Sequence, residues 1–167
     1  MSISFNVYGP YKVPVDGDSA KKGKSQYFQV SSKENLANFW DECDMGDEKG
    51  CYVFVNFSTP VYVGKTNVSF KKEIFTSHKR VLLNKCLNTA TKRKLQVFFI
   101  TTEECGRLDE IIGEIESYLI IQAKRANEKL LNEKNTTPKW SIPGIYGANK
   151  IGKSTMAARK LKKSLKL

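Results

Sequence analysis

Between residues 51 and 63 the chain is written almost wholly in strand-forming residues, with one interruption. Cys51 to Phe57 is a β-branched and aromatic run, Ser58-Thr59-Pro60 has the chemistry of a turn, and Val61 to Val63 resumes the run. Branched and ring-bearing side chains fit a pleated, half-buried surface, so two such runs around a short break predict a β-hairpin. A third run, Leu95 to Thr101, predicts a central strand. A hairpin and one strand need an apolar cover. Leu108, Ile111, Ile112, Ile115, Leu119 and Ala123 recur at helical spacing and predict a long helix from about Leu108 to Leu130.

The flanks are shorter pieces. Ile3 to Val7 alternates as a strand, and Gly9-Pro10 is expected to break it. Asp16 to Ser25 reads as a polar, lysine-rich loop, and Tyr27 to Val30 as an edge-type strand. Ser31 and Glu34 form a capping box that opens a helix through Leu36, Phe39 and Trp40. Asp41 to Lys49 reads as an acidic loop. Ser69 is placed to cap a helix carrying Phe70, Ile74 and Phe75, with Val81 and Leu82 as further inward candidates. Asn132 to Pro138 reads as a loop, and Trp140 to Tyr146 as an extended piece broken by Pro143 and Gly144. Ser154 can cap a last helix with Ala157, Leu161 and Leu165 on one face and lysines on the other. Strands and helices do not alternate regularly. The expected class is therefore α+β, a small three-stranded mixed or antiparallel sheet flanked by helices. The expected organisation is an N-terminal extension over 1–48 packed on the core, a core over 49–133, and a C-terminal loop and basic helix over 134–167.

With 167 residues, 40% hydrophobic and 27% charged, the chain suits one globular domain with short extensions. No apolar run approaches the ~20 residues of a membrane span, and the N-terminus lacks a basic segment followed by an apolar one. A cytoplasmic address without a membrane partner is expected. Cys43, Cys51, Cys86 and Cys105 include no C-x-x-C pair, and His78 is the single histidine, which argues against a structural zinc site. These cysteines read as small buried hydrophobes in a reducing compartment. The net charge is +11, with cations clustered at Lys21 to Lys24, Lys71-Lys72, Lys79-Arg80, Lys92 to Lys94, Lys124-Arg125 and Lys150 to Lys166. Such a surface suits a polyanion, because counterions released from nucleic acid favour phosphate binding. Solubility and an anionic membrane surface are the competing uses of the same charge.

The informative residues lie in order. Gly50-Cys51-Tyr52 is followed after the turn by Tyr62-Val63-Gly64-Lys65-Thr66. The predicted long helix then carries Glu116-Ser117-Tyr118-Leu119-Ile120, and Asn127 to Asn132 follow it. This set resembles the GIY-YIG nuclease family, whose name records the two tripeptides, over Lys49 to about Asn132. The resemblance implies a metal-dependent endonuclease that hydrolyses phosphodiester bonds in nucleic acid, DNA before RNA, with Mg2+ or Mn2+. It implies that Glu116 holds the metal and that Tyr52 and Tyr62 orient or deprotonate the attacking water. The residues support Glu116 separately: it lies within the apolar stripe, where a carboxylate costs several kcal/mol unless paired, hydrogen-bonded or metal-bound. A phenol titrates near pH ~10, so base work by a tyrosine needs a nearby cation such as Lys65. The plainer alternatives are tyrosines that pack as ordinary strand residues, a turn glycine at Gly64, and a Glu116 whose head group reaches water.

One position departs from the family pattern. Where the family usually has an arginine that clamps phosphate, this chain has Glu73, with Lys72, His78, Lys79 and Arg80 nearby. Three readings stay open: Lys79 or Arg80 takes the clamp's role, Glu73 adds a metal ligand, or the domain binds nucleic acid without cutting it. The catalytic candidates are therefore Tyr52, Tyr62, His78, Lys79 and Glu116. The candidates for substrate contact are Gly64, Lys65, Lys72, Arg80 and Asn132. Gly147 to Ser154 fits G-x-x-x-x-G-K-S, but Pro143 and Gly144 precede it in place of a buried strand, so nucleotide binding is not expected. Gly144-Ile145-Tyr146 has no partner tripeptide and reads as packing.

Overall fold

The computed structural model describes residues 5–17, 27–31, 33–91, 93–102, 108–132 and 156–166. Along the chain these form β1 (Phe5–Lys12), β2 (Val15–Gly17), β3 (Phe28–Val30), α1 (Lys33–Cys43), β4 (Gly50–Asn56), β5 (Thr59–Thr66), α2 (Phe70–Glu73), α3 (Ser77–Thr89), β6 (Leu95–Thr102), α4 (Leu108–Ala126) and α5 (Met156–Leu165). The α+β class follows directly. The readings made for Trp140 to Tyr146, for Gly147 to Ser154 and for most of the 16–25 and 132–138 loops lie outside the described residues.

Strand β4 organises the whole, because it is hydrogen-bonded on both sides and buried at every residue. Successive strand side chains point to opposite faces. Cys51, Val53 and Val55 therefore join one core with α4 and α5, while Tyr52 and Phe54 join another with α1, α2 and α3. The main sheet has the order β1-β6-β4-β5, antiparallel throughout, and β2 and β3 form a separate two-stranded sheet.

The sheet thus has four strands where three were expected. The fourth is β1, which pairs with β6 from Phe5↔Thr102 to Lys12↔Gln96 and so runs through Gly9-Pro10. The register shifts between Tyr8 and Tyr11, so a bulge on an edge strand absorbs the two residues that read as breakers. The hairpin turn is Phe57-Ser58, with Phe57 at φ 61°, and Thr59 and Pro60 already pair with Asn56 and Val55. Pro60 is tolerated because β5 is an edge strand.

The stripe of α4 is buried at Ile111, Ile112, Ile115, Leu119 and Ala123, and Ile120 joins it. The helix ends at Ala126, and the following segment returns to the free edge of β5. There Asn127 Nδ2 donates to Pro60 O (2.8 Å), Leu131 N donates to Val61 O (2.9 Å), and Asn132 pairs with Val63. Helix α5 docks Ala158, Leu161 and Leu165 into the α4 core, with Ala157 packed partly against it and Arg159, Lys160 and Lys163 exposed. The helix expected after Ser69 is two helices. The inner face of α3 is Lys79, Leu83 and Leu87, and Val81 points outward at 66% exposure. Asp41 to Cys43 belong to α1, so the acidic loop begins at Asp44. The Ser31 hydroxyl donates to Asp16 Oδ1 at 2.6 Å, tying β2 to the segment before α1. Among the described residues, no helix is long and apolar enough to cross a membrane.

Candidate functional site

The β4–β5 register sets Tyr52 opposite Gly64 and Phe54 opposite Tyr62, so the two tyrosines are diagonal neighbours on one face. Their rings stack at 6.2 Å and 29°. Phe54 and Phe70 meet the Tyr52 ring edge-on, at 5.8 and 6.2 Å. A Cβ at position 64 would stand 2.3 Å from Tyr52 Oη and 2.4 Å from Cζ. The phenol therefore lies across the edge strand in the space a side chain would take. Gly64 serves that close approach and no turn.

The two hydroxyls differ. Tyr52 is fully buried, and its Oη makes no well-formed hydrogen bond among the described residues. The Tyr62 hydroxyl is its polar neighbour, and Tyr62 itself is half-buried. Burial pushes the pKa of both phenols up. For Tyr52 the neighbouring Tyr62 phenol and the Glu73 and Glu116 charges add to that, and for Tyr62 the Glu116 and Glu73 charges do so against a small lowering by Tyr52. Both are neutral phenols near pH 7. They can orient a water or a phosphate oxygen, and the deprotonating role is not favoured by these surroundings.

Glu116 comes from the opposite face, since α4 packs against the Cys51 and Val63 side of the sheet. Because β5 is an edge strand, groups on the two faces can act on one another around it. The Glu116 side chain is 14% exposed, and its Oε2 lies 3.9 Å from Lys65 Nζ. It thus sits at the rim of the apolar stripe, neither sealed in nor fully in water. Lys65 lies against α4 where Gly113 leaves room, since a Cβ there would be 3.2 Å from Nζ. The Cys51 thiol donates to Ile112 O at 3.2 Å, and burial, then the Glu116 charge, hold it protonated.

A second charged pair lies on the tyrosine side. Lys79, only 8% exposed, donates to Glu73 O at 2.9 Å and to Glu73 Oε1. Its Nζ stands 5.7 Å from the centroid of the Tyr52 ring. The structure thus brings together Tyr52, Tyr62 and Gly64, with Lys79 beside them and Lys65 and Glu116 around the edge.

Other expected site residues stand apart from this set. Lys72 and His78 are exposed on α2 and α3. The Arg80 guanidinium donates to Val30 O and Ser31 O, both at 3.1 Å, and so ties β3 to α3 instead of offering a phosphate clamp. Asn132 accepts from Val63 N (2.8 Å) and donates to Val63 O (2.7 Å), closing the edge of β5. Sequence reasoning missed Gly113. Its signal was available, because a glycine inside a helix costs about 1 kcal/mol against alanine and calls for a reason.

The donor chemistry can be tested against the metal that the resemblance implies. Among the described residues no three of His, Cys, Asp and Glu stand together. A single carboxylate at a rim leaves most coordination positions to water and phosphate oxygens, which is how Mg2+ is commonly held. Glu116 fits that pattern. Comparison of the chain with known protein families, curated proteins and solved structures finds no match.

Proposed function

We propose that this chain is a metal-dependent endonuclease of GIY-YIG type that hydrolyses phosphodiester bonds in nucleic acid, DNA before RNA. The observation that carries the reading is the joint placement of the Tyr52 phenol over Gly64, stacked on Tyr62, with the Glu116 carboxylate around the same edge strand, its charge acting on both phenols. An enclosed hydroxyl without a well-formed partner lowers stability, and such groups persist where a function uses them.

In this reading the hydroxyl of the half-buried Tyr62 orients the attacking water, and Tyr52 fixes the Tyr62 ring by stacking. Lys65 adds positive field beside the carboxylate. Glu116 would hold Mg2+ or Mn2+, which when bound supplies charge neutralisation at the phosphate and at the leaving oxygen. The net charge of +11 supplies sequence-independent attraction to the backbone.

The test is cleavage of supercoiled plasmid and branched DNA by the full chain, with Mg2+, with Mn2+ and with chelator. Cutting is expected only with metal, and it should vanish in Glu116→Ala while the protein still folds and binds DNA. Metal-dependent cutting that survives Glu116→Ala unchanged refutes the assignment. A second reading is favoured by one observation: Glu73 stands where the family places its arginine, and its carboxylate engages Lys79. In that reading the domain binds nucleic acid and cuts slowly or not at all. Tight, salt-sensitive binding without cleavage in any metal would select it.

A further inference from the structure

We propose that Lys79 is a phosphate-binding cation whose charge Glu73 holds in reserve, and that a phosphodiester displaces the Glu73 carboxylate from it. The proposal rests on reading this face as a phosphodiester site. It assigns Glu73 a task outside both metal binding and structural pairing.

The two partners are unequally buried. The Lys79 side chain is 10% exposed and that of Glu73 is 41% exposed. A buried ammonium cannot be left without an anion, whereas a carboxylate that already reaches solvent can rotate away at small cost. The ammonium has a second anchor that would stay behind, the backbone carbonyl of Glu73 at 2.9 Å. Lys79 Nζ is therefore held in place whether or not the carboxylate is engaged. Its position is fixed against the site as well, 5.7 Å over the Tyr52 ring, which stacks on Tyr62.

The exchange conserves charge. A phosphodiester linkage carries one negative charge, as a carboxylate does, so the cation is compensated before, during and after displacement. A carboxylate six residues away on the same chain competes at high effective concentration, which weakens phosphate capture relative to a free cation.

The experiment is a binding titration of the full chain with a short DNA duplex, comparing wild type, Glu73→Gln, Glu128→Gln and the double variant Glu73→Gln/Lys79→Gln. Glu128 is exposed beyond α4 and controls for a general loss of negative charge. Glu73→Gln should bind about tenfold more tightly, the scale of one charge-assisted contact. Glu128→Gln should change affinity less than twofold, and the gain should vanish in the double variant. No gain over Glu128→Gln, or a gain that persists without Lys79, overturns the proposal.

If the double variant does not fold, dimethyl phosphate is titrated against wild type and Glu73→Gln while the Lys79 ammonium is followed by nuclear magnetic resonance. A shift at lower concentration in Glu73→Gln supports the exchange, and identical or absent shifts refute it. Neither readout involves cleavage. A Glu116→Ala protein that still cuts would sink the GIY-YIG assignment and leave these outcomes interpretable.

Discussion

The two faces of the main sheet are built from different chemistry. On one, Val53, Val55, Val63 and Ile100 meet Ile112, Leu119, Ile120, Leu161 and Leu165 of α4 and α5, an almost wholly aliphatic core. On the other, Tyr52, Phe54, Phe70 and Phe99 meet Trp40 and Phe75 in a chain of ring contacts, Phe70 and Phe99 as close as 4.5 Å. Among the described residues the aromatic face is the one that encloses both a phenol hydroxyl and a lysine ammonium. An aliphatic layer stabilises through area and close packing alone. The aromatic layer offsets the cost of buried polar atoms with ring contacts, each worth about 0.5–1.5 kcal/mol beyond area. In the proposed reading the aliphatic interior serves stability, while the chemistry gathers at the edge strand β5, where the phenols of one face meet Glu116 and Lys65 of the other.

The largest expected effect tests the aliphatic face. Ile112→Ala removes a fully buried side chain and should lower the unfolding free energy by about 3 kcal/mol in urea titrations. Cleavage per folded molecule should stay the same. A fall in specific activity as steep as that of a site variant would break the division between the aliphatic interior and the edge around β5.

Gly64→Ala comes next. Its Cβ must displace the Tyr52 ring, which is enclosed on every side, so a loss of about 2 kcal/mol is expected. Unlike Ile112→Ala it should also remove activity in the protein that remains folded. Thermal melts and cleavage of the same preparation read both effects together.

Tyr52→Phe should be the mildest in stability, within about 1 kcal/mol at neutral pH, because it removes a poorly bonded buried hydroxyl and keeps the ring. Its signature is alkaline. The folded pKa of Tyr52 lies above the unfolded value of about 10, so below that pH both states keep the proton. Above it the unfolded chain releases a proton that the folded chain retains, and stability falls as pH rises. Tyr52→Phe should flatten this fall between pH ~10 and ~11. An unchanged alkaline slope would mean that the hydroxyl is better solvated than its burial indicates.

The elements with long internal periodicity were legible in the sequence. The α4 stripe, the β4 run and the central β6 carry their burial in local spacing, and each is found where that spacing puts it. What was illegible depends on distant partners. Gly9-Pro10 breaks a strand by local rules, yet β6 pairs across it and a bulge takes up the misfit. Arg80 looks like a free basic residue until Val30 and Ser31, some fifty residues away in sequence, use it. Asn84 and Asn88 likewise hold the backbone of Val30 and Phe28, and nothing near them in sequence announces it. The expected site divides in the same way. Tyr52, Tyr62 and Gly64 follow from strand register, whereas the exposure of His78 and the pairing of Lys79 with Glu73 depend on how α2 and α3 are split.

The account turns on the half-buried phenol at the meeting point of the two faces. The direct measurement is the single-turnover cleavage rate of Tyr62→Phe against wild type, with Mn2+ saturating and both proteins shown to be equally folded. Loss of one orienting hydroxyl should slow cleavage by about a hundredfold with DNA affinity unchanged. A Tyr62→Phe protein that cuts DNA as fast as wild type would contradict it.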